Sequence, residues 1–263
     1  MILDKGERWK VVEGDALPVL WEMPDASVDA IITDPPYCAG AVSEASRTRA
    51  AGQGLRSENL RRFGWFTGDN MGTAGLAFLL RAVAFEAVRV VKPTGSLLVF
   101  CDWRMVASLQ PAIESAGVRF QNLVVWDKRA MGLGTGFRAQ HELILHFTFG
   151  SPEYHDMGTG NVIECGRVVA GEREHQTQKP LGVLSQLVRV VTPVGGLVAD
   201  PFAGSGSTGC AAVAMGRRFV GMERDAAHVE TARRRIAEAE SRPSMFAPVA
   251  EAAPAPVQEL MPL

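Results

Sequence analysis

Short apolar runs without helical period alternate along the chain with longer stretches in which apolar positions recur every three or four residues. Trp9 to Glu13, Val28 to Ile32, Ser96 to Cys101, Asn122 to Asp127, His141 to Thr148, Leu197 to Ala199 and Phe219 to Met222 read as strands. The run Val28 to Ile32 is bounded by turn residues on one side and prolines on the other, as expected for a strand covered on both faces. Helical patterns occupy Ala16 to Met23, Leu76 to Val91, Met105 to Ala116, Leu181 to Val191, a stretch ending at Met215, and Ala226 to Glu240. Lys92-Pro93-Thr94-Gly95 and Gly117 stop two of them. Repeated strand–helix–strand alternation predicts an α/β domain with a largely parallel sheet and helices on both faces.

Three stretches break this rhythm. Residues 38–75 are rich in Gly, Ser, Ala and Arg without sustained period. They carry Arg47, Arg49, Arg56, Arg61 and Arg62 against Glu44, Glu58 and Asp69, with Phe63, Trp65 and Phe66 close behind. A loop of this length inside a compact domain is usually functional or disordered, and its arginines suit phosphate contact or insertion into a duplex as well as plain solvation. Residues 150–180 read as polar and irregular. From Ser241 the chain is Pro- and Ala-rich and reads as a disordered tail.

With 263 residues, one α/β domain over residues 1–240 accounts for the core. No apolar run reaches the roughly 18 residues of a membrane span, and the start of the chain lacks a signal-peptide core, so a cytoplasmic protein is expected. Cys38, Cys101, Cys165 and Cys210 are scattered without a CxxC pair, which argues against a zinc site and a disulfide framework. A net charge of −2 gives no global signal for nucleic acid, so local clusters must carry that reading.

The candidate chemistry sits where strands stop. The Val28 strand must end at Asp34, because Pro35 and Pro36 have no N–H to continue a ladder. An acid at the carboxyl end of a buried parallel strand lies where open α/β sheets bind ligands. Rigid prolines set the directions of the neighbouring carbonyls, and Tyr37 adds a flat face. Together they suit a planar heterocycle bearing an amino group. Later, Gly204-Ser205-Gly206-Ser207-Thr208-Gly209 matches GxGxxG between a strand and a helix, where glycines allow close approach of a ligand. Glu223 ends the next strand, near the spacing at which an acid takes a ribose hydroxyl pair. That pattern alone also admits a dinucleotide oxidoreductase. Against this, the fingerprint is followed by only one more strand, and Asp200 just before it suits a cationic or amino-bearing cofactor. His141-Glu142-Leu143-Ile144-Leu145-His146 is one residue too long for the HExxH zinc motif and reads as a strand. Asp102 also ends a strand on this edge, with capping of the turn from Trp103 an equal alternative.

Asp34-Pro35-Pro36-Tyr37 with Asp200-Pro201-Phe202-Ala203-Gly204-Ser205-Gly206 resembles the S-adenosylmethionine-dependent DNA amino-methyltransferases. The catalytic motif ahead of the cofactor loop is similar to their β class. Gly14-Asp15-Ala16-Leu17, Pro24 to Asp29, Val124 to Lys128, His141-Glu142 and His175-Gln176-Thr177-Gln178-Lys179-Pro180 fall in the family's order. The resemblance implies a single Rossmann-like domain with a mostly parallel seven-stranded sheet containing one antiparallel strand. It implies that Asp34 and the Pro35 carbonyl, set by Pro36, accept hydrogen bonds from the amino group of an adenine flipped out of DNA, with Tyr37 stacked on the base. Methyl transfer from S-adenosylmethionine would be direct, with no metal. Asp200, Phe202, Ala203, Gly204, Ser205 and Gly206 would meet the cofactor's methionine end with Lys179 nearby. Glu223 would take the ribose and Asp15 the adenine ring.

Asp before Pro-Pro-Tyr favours adenine; cytosine amino methylation and a non-catalytic DNA-binding protein of the same fold are the alternatives. Arg47, Arg49, Arg61 and Arg62 are the expected DNA contacts. The segment 150–178, where such proteins place target recognition, is short, so recognition is expected to be shared with loop 38–75 or completed by a homodimer.

Overall fold

The strand that ends at Asp34 lies near the middle of the sheet. The computed structural model describes residues 3–4, 6–36, 72–132, 135–167 and 179–242. Its strands are β1 (Trp9–Glu13), β2 (Val28–Thr33), β3 (Val91–Cys101), β4 (Arg119–Asp127), β5 (His141–Thr148), β6 (Val162–Glu164), β7 (Leu197–Asp200) and β8 (Arg218–Glu223). Its helices are α1 (Ala16–Glu22), α2 (Thr73–Val90), α3 (Val106–Glu114, entered through a 3-10 turn at Trp103–Met105), α4 (Leu181–Val191), α5 (Ser207–Ala214) and α6 (Ala226–Ser241). The strands form one sheet in the order β1-β8-β7-β2-β3-β5-β4-β6. Every residue of β2 is buried, as its lack of alternation predicts.

Side chains of β2 and β3 alternate between two cores. Ile31, Leu97 and Val99 point to the face covered by α1, α2 and α3, while Ala30, Ile32, Leu98 and Phe100 point to the face covered by α4, α5 and α6. Helix α2 buries Leu76, Leu80, Val83, Ala84, Ala87 and Val90, at helical spacing. Each large apolar side chain removed from water stabilises the fold by roughly 1.5–3 kcal/mol. Asp29 is the exception inside β2. Its carboxylate accepts from Lys92 Nζ at 2.6 Å and the Leu197 amide at 2.7 Å, so its burial ties the amino ends of β2 and β7 together. At the far edge the Trp9 indole donates to Glu240 Oε2 at 2.7 Å, fastening the first strand to the last helix.

Among the described residues the sheet has eight strands, not the seven expected. The extra one, β6, pairs in parallel with β4 at the edge, Val125 opposite Val162. Three residues with only Ile163 buried are too few to show an alternating pattern. Within this sheet β5 is the antiparallel strand, against both β3 and β4. β3 starts at Val91, ahead of the expected Ser96. Its partner register jumps from Val28 opposite Val91 to Ala30 opposite Ser96, so Pro93 falls in the irregularity, where no ladder bond is needed. Helix α2 correspondingly ends at Val90 and begins at Thr73. Among the described residues, no helix is long and apolar enough to cross a membrane.

Candidate active site

Because β1, β8, β7, β2 and β3 run parallel, their carboxyl ends share one edge of the sheet. Asp15, Glu223, Asp200, Asp34 and Asp102 all follow or end these strands there. β5 runs the other way, so its first residues, His141 and Glu142, reach the same edge beside Lys128 at the end of β4. The chain winds from β7 to β8 on one side and from β2 to β3 on the other. The reversal between β7 and β2 opens a crevice at their carboxyl ends.

Asp34 meets Lys179 at this crevice, with Nζ donating to Oδ2 at 2.6 Å. Lys179 is placed by Pro180, which starts α4, and its ammonium lies 5.0 Å from the centre of the Phe100 ring. Glu142 Oε2 is 3.1 Å from the same Nζ, and Glu142 Oε1 accepts from Lys128 Nζ at 2.6 Å. The four side chains form an alternating row of charge across the ends of β2, β4 and β5. Burial opposes the charge on Lys179, but Asp34 and Glu142 outweigh it and raise its pKa. Burial likewise opposes ionisation of Glu142, and Lys179 and Lys128 overcome it and hold the carboxyl below its usual range. Pro35 is buried and Pro36 half-buried.

Thr33 and Asp200 join the two central strands. The Thr33 hydroxyl donates to Asp200 Oδ1 at 2.7 Å, and the Phe202 amide donates to the same oxygen at 3.0 Å. Thr208 also bonds the carboxylate. Asp200 is 2% exposed, and burial pushes its pKa up to about 6. Its carboxylate therefore holds the glycine loop to β2.

The loop itself alternates. Pro201, Ala203 and Ser205 are buried, whereas Phe202 and Gly204 stay half-buried. Gly204 has φ +51°, and among the described residues a Cβ there would meet no atom within 4 Å. Gly206, at φ +78°, is different: a Cβ would lie 2.9 Å from Ala232 Cβ on α6. Gly204 thus leaves open space, and Gly206 lets α6 pack on the loop. The Ser205 hydroxyl accepts from Arg235 Nη1 at 2.9 Å, and the same nitrogen reaches the Ser205 carbonyl and, at 3.3 Å, Ser207 Oγ. Glu223 accepts from the amides of Gly204 and Asp225, both at 2.9 Å, and its backbone carbonyl accepts from Gly14 at 2.9 Å. Asp15, one residue on, is exposed beside it.

The structure thus brings Asp34, Pro35, Pro36, Lys179, Asp200, Phe202, Ala203, Gly204, Ser205, Gly206, Glu223 and Asp15 to one edge. Tyr37, Arg47, Arg49, Arg61 and Arg62 lie outside the described residues, as do most of loop 38–75, residues 168–178 and the tail from 243. Asp102 caps the turn after β3, accepting from the Arg104 amide at 2.9 Å while Arg104 also grips its carboxylate.

Local sequence pattern assigns no role to Thr33, Glu142, Lys128 or Arg235. Arg235 carries a signal: it adjoins Ile236 on the stripe Val229, Ala232, Ile236, where a buried cation needs a partner. Glu142 opens an apolar strand, but nothing in the sequence shows that Lys179 comes to it.

A family model described as DNA methylase, of N6/N4 type, matches residues 28–234. The type II methyltransferase M.HinfI of Haemophilus influenzae is 26% identical over 259 residues, covering 89% of this chain and 70% of that protein. In fold, the chain is similar to TTHA0409 of Thermus thermophilus, solved with S-adenosyl-L-methionine, with TM-score 0.64 and 22% identity over 88% of this chain and 94% of that one. It is also similar to the PvuII DNA methyltransferase, described as cytosine-N4-specific, with TM-score 0.68 and 16% identity over 87% and 86%. The match across both the Asp34 motif and the glycine loop settles the assignment: the chain belongs to the N6/N4 DNA methylase family.

Proposed function

We propose that the chain transfers a methyl group from S-adenosylmethionine to the exocyclic amino group of an adenine flipped out of DNA. The observation that carries this reading is that Asp34, ion-paired at 2.6 Å, and the glycine loop follow the neighbouring parallel strands β2 and β7, which the Thr33–Asp200 bond joins at the same edge of the sheet. The crevice fits the cofactor by the chemistry of its donors. Gly204 offers a face without a side chain, Glu223 a partly accessible carboxylate and Asp15 an exposed one, while several acids suit a cationic ligand. When bound, the cofactor supplies an electrophilic methyl on a sulfonium sulfur. Glu223 and Asp15 would hold its nucleoside end, with the Phe202–Gly206 turn at the other.

Asp34 accepts a hydrogen bond from the amino group, and Pro35 and Pro36 fix the chain that presents it. This would draw the nitrogen lone pair out of the ring and present it to the methyl donor. A bond from the nitrogen to that methyl would form as the cofactor's methyl–sulfur bond gave way, and the surplus amino proton would leave towards Asp34. The protein's share is orientation and electrostatics. Adenine is assigned over cytosine on Asp, not Ser, before Pro35. Incubation with unmethylated DNA and methyl-labelled S-adenosylmethionine, followed by digestion to nucleosides, tests the reading. Label is expected in N6-methyladenine and is expected to vanish in D34A, which should still bind the cofactor. Label in N4-methylcytosine would replace the base assignment, and none in any DNA would favour a non-catalytic DNA-binding protein.

A further inference from the structure

Lys179 is held from two sides. Asp34, the group that must meet the acceptor, holds one side at 2.6 Å; Glu142 holds the other at 3.1 Å and is itself gripped by Lys128 at 2.6 Å. A buried ammonium that relied on Asp34 for its charge balance would depend on the same carboxylate that has to engage the substrate. Each hydrogen bond given to Asp34 by an amino group would then loosen the cation behind it. A second carboxylate on a strand removes that conflict. Glu142 sits at the rigid start of β5, opposite Trp126 of β4, and its neighbour Leu143 pairs with Cys101 of β3, so its backbone is fixed from both sides. Lys128 closes the row and balances its charge.

Resting on the function proposed above, we propose that Glu142 is a positioning residue for methyl transfer. It anchors Lys179 so that Asp34 is presented to the amino group in one orientation and stays ionised throughout the approach. A buried salt bridge serving only the fold would show itself as lost stability when one partner is removed, and could be replaced whole by apolar side chains. A positioning role has a different signature, because it acts on the rate of transfer and on the proton of Lys179. Among the described residues, the charged and titratable groups around this row are Asp34 just after β2, Cys101 of β3 with Asp102 just after it, Lys128 just after β4, Glu142 of β5 and Asp200 of β7, with Lys179 itself leading into α4.

The test compares wild type, E142Q and E142D in transfer to unmethylated genomic DNA at saturating cofactor. Cofactor binding is measured by calorimetry and the fold by thermal melting. E142Q keeps the shape of the side chain and removes its charge. Its maximal rate is expected to fall at least tenfold at about pH 8, with cofactor Kd within threefold. Wild-type rate is expected to stay level from about pH 8 to pH 10. That of E142Q should decline across the same range, because Lys179, with one carboxylate fewer to set against burial, loses its proton sooner. E142D should restore the level profile and part of the rate. If E142Q transfers within threefold of wild type with a parallel pH profile, the proposal is wrong. It is equally wrong if a weakened cofactor Kd or a lost fold accounts for the whole drop. Absence of transfer by the wild type on any DNA would instead remove the functional reading beneath it.

Discussion

The Thr33 hydroxyl donates to the Asp200 carboxylate across two neighbouring parallel strands at 2.7 Å, coupling the end of the Asp34 strand to the root of the glycine loop. Asp200 is buried and its pKa is raised from 3.8 to about 6. Between those values the folded protein keeps a proton that the unfolded chain has released. The stability owed to that proton is therefore present at low pH and is lost as pH rises through about 6. In urea titrations, D200N lacks this component. The stability of wild type relative to D200N should shift against the wild type by about 3 kcal/mol between about pH 4 and pH 7. T33V, which leaves the carboxylate one donor short, should cost about 1–3 kcal/mol at neutral pH. Parallel pH profiles for wild type and D200N would refute the burial argument.

The two loop glycines should fail in different ways. G206A places a Cβ at φ +78° and 2.9 Å from Ala232, so it should lower stability by about 2–4 kcal/mol from backbone strain and overpacking. G204A meets no atom of the described residues within 4 Å and should cost only about 1–2 kcal/mol of left-handed strain. Its methyl projects into open space, so cofactor affinity should fall tenfold or more. Melting temperature and cofactor calorimetry on both variants check this; equal affinity for G204A and wild type would mean the ligand does not lie against Gly204.

Arg235 predicts a loss that begins in a helix and shows itself in the loop. Its guanidinium ties α6 to Ser205 and Ser207, so R235M should loosen the turn from behind. Cofactor Kd should rise about tenfold, equivalent to about 1.4 kcal/mol. R235K, with one ammonium in place of the planar fork, should recover only part of it.

Arg47, Arg49, Arg61 and Arg62 carry a prediction that rests on sequence alone. Replacing all four with Gln should weaken DNA binding and flatten its dependence on salt, by about 0.9 in log–log slope for each phosphate that these side chains neutralise. An unchanged slope would mean that the loop serves another purpose.

Sheet architecture and most strand ends were legible because burial on both faces leaves uninterrupted apolar runs and prolines mark their limits. Asp34, Asp200 and Glu223 were legible as candidates for the same reason, since each ends such a run. What pattern could not supply was pairing across long sequence separation. Lys179 reaches Asp34 over 145 residues and Thr33 reaches Asp200 over 167, distances at which local periodicity carries no information. The glycines were legible as a group, but their separate roles were not, since packing against Ala232 and Ile236 of α6 distinguishes Gly206 from Gly204. Strand β6 was missed because its three residues contain a single buried side chain.

The bond from Trp9 to Glu240 and the pairing of β1 with β8 bring early and late parts of the chain to the same edge of the sheet. Connectivity is therefore separable from architecture. A permuted gene joining the chain beside Trp9 and Glu240, and opened between Glu164 and Lys179, would translate the glycine loop first and Asp34 second while leaving every strand pairing in place. The order in which the two motifs are read along the polypeptide is a property of where the ribbon is cut.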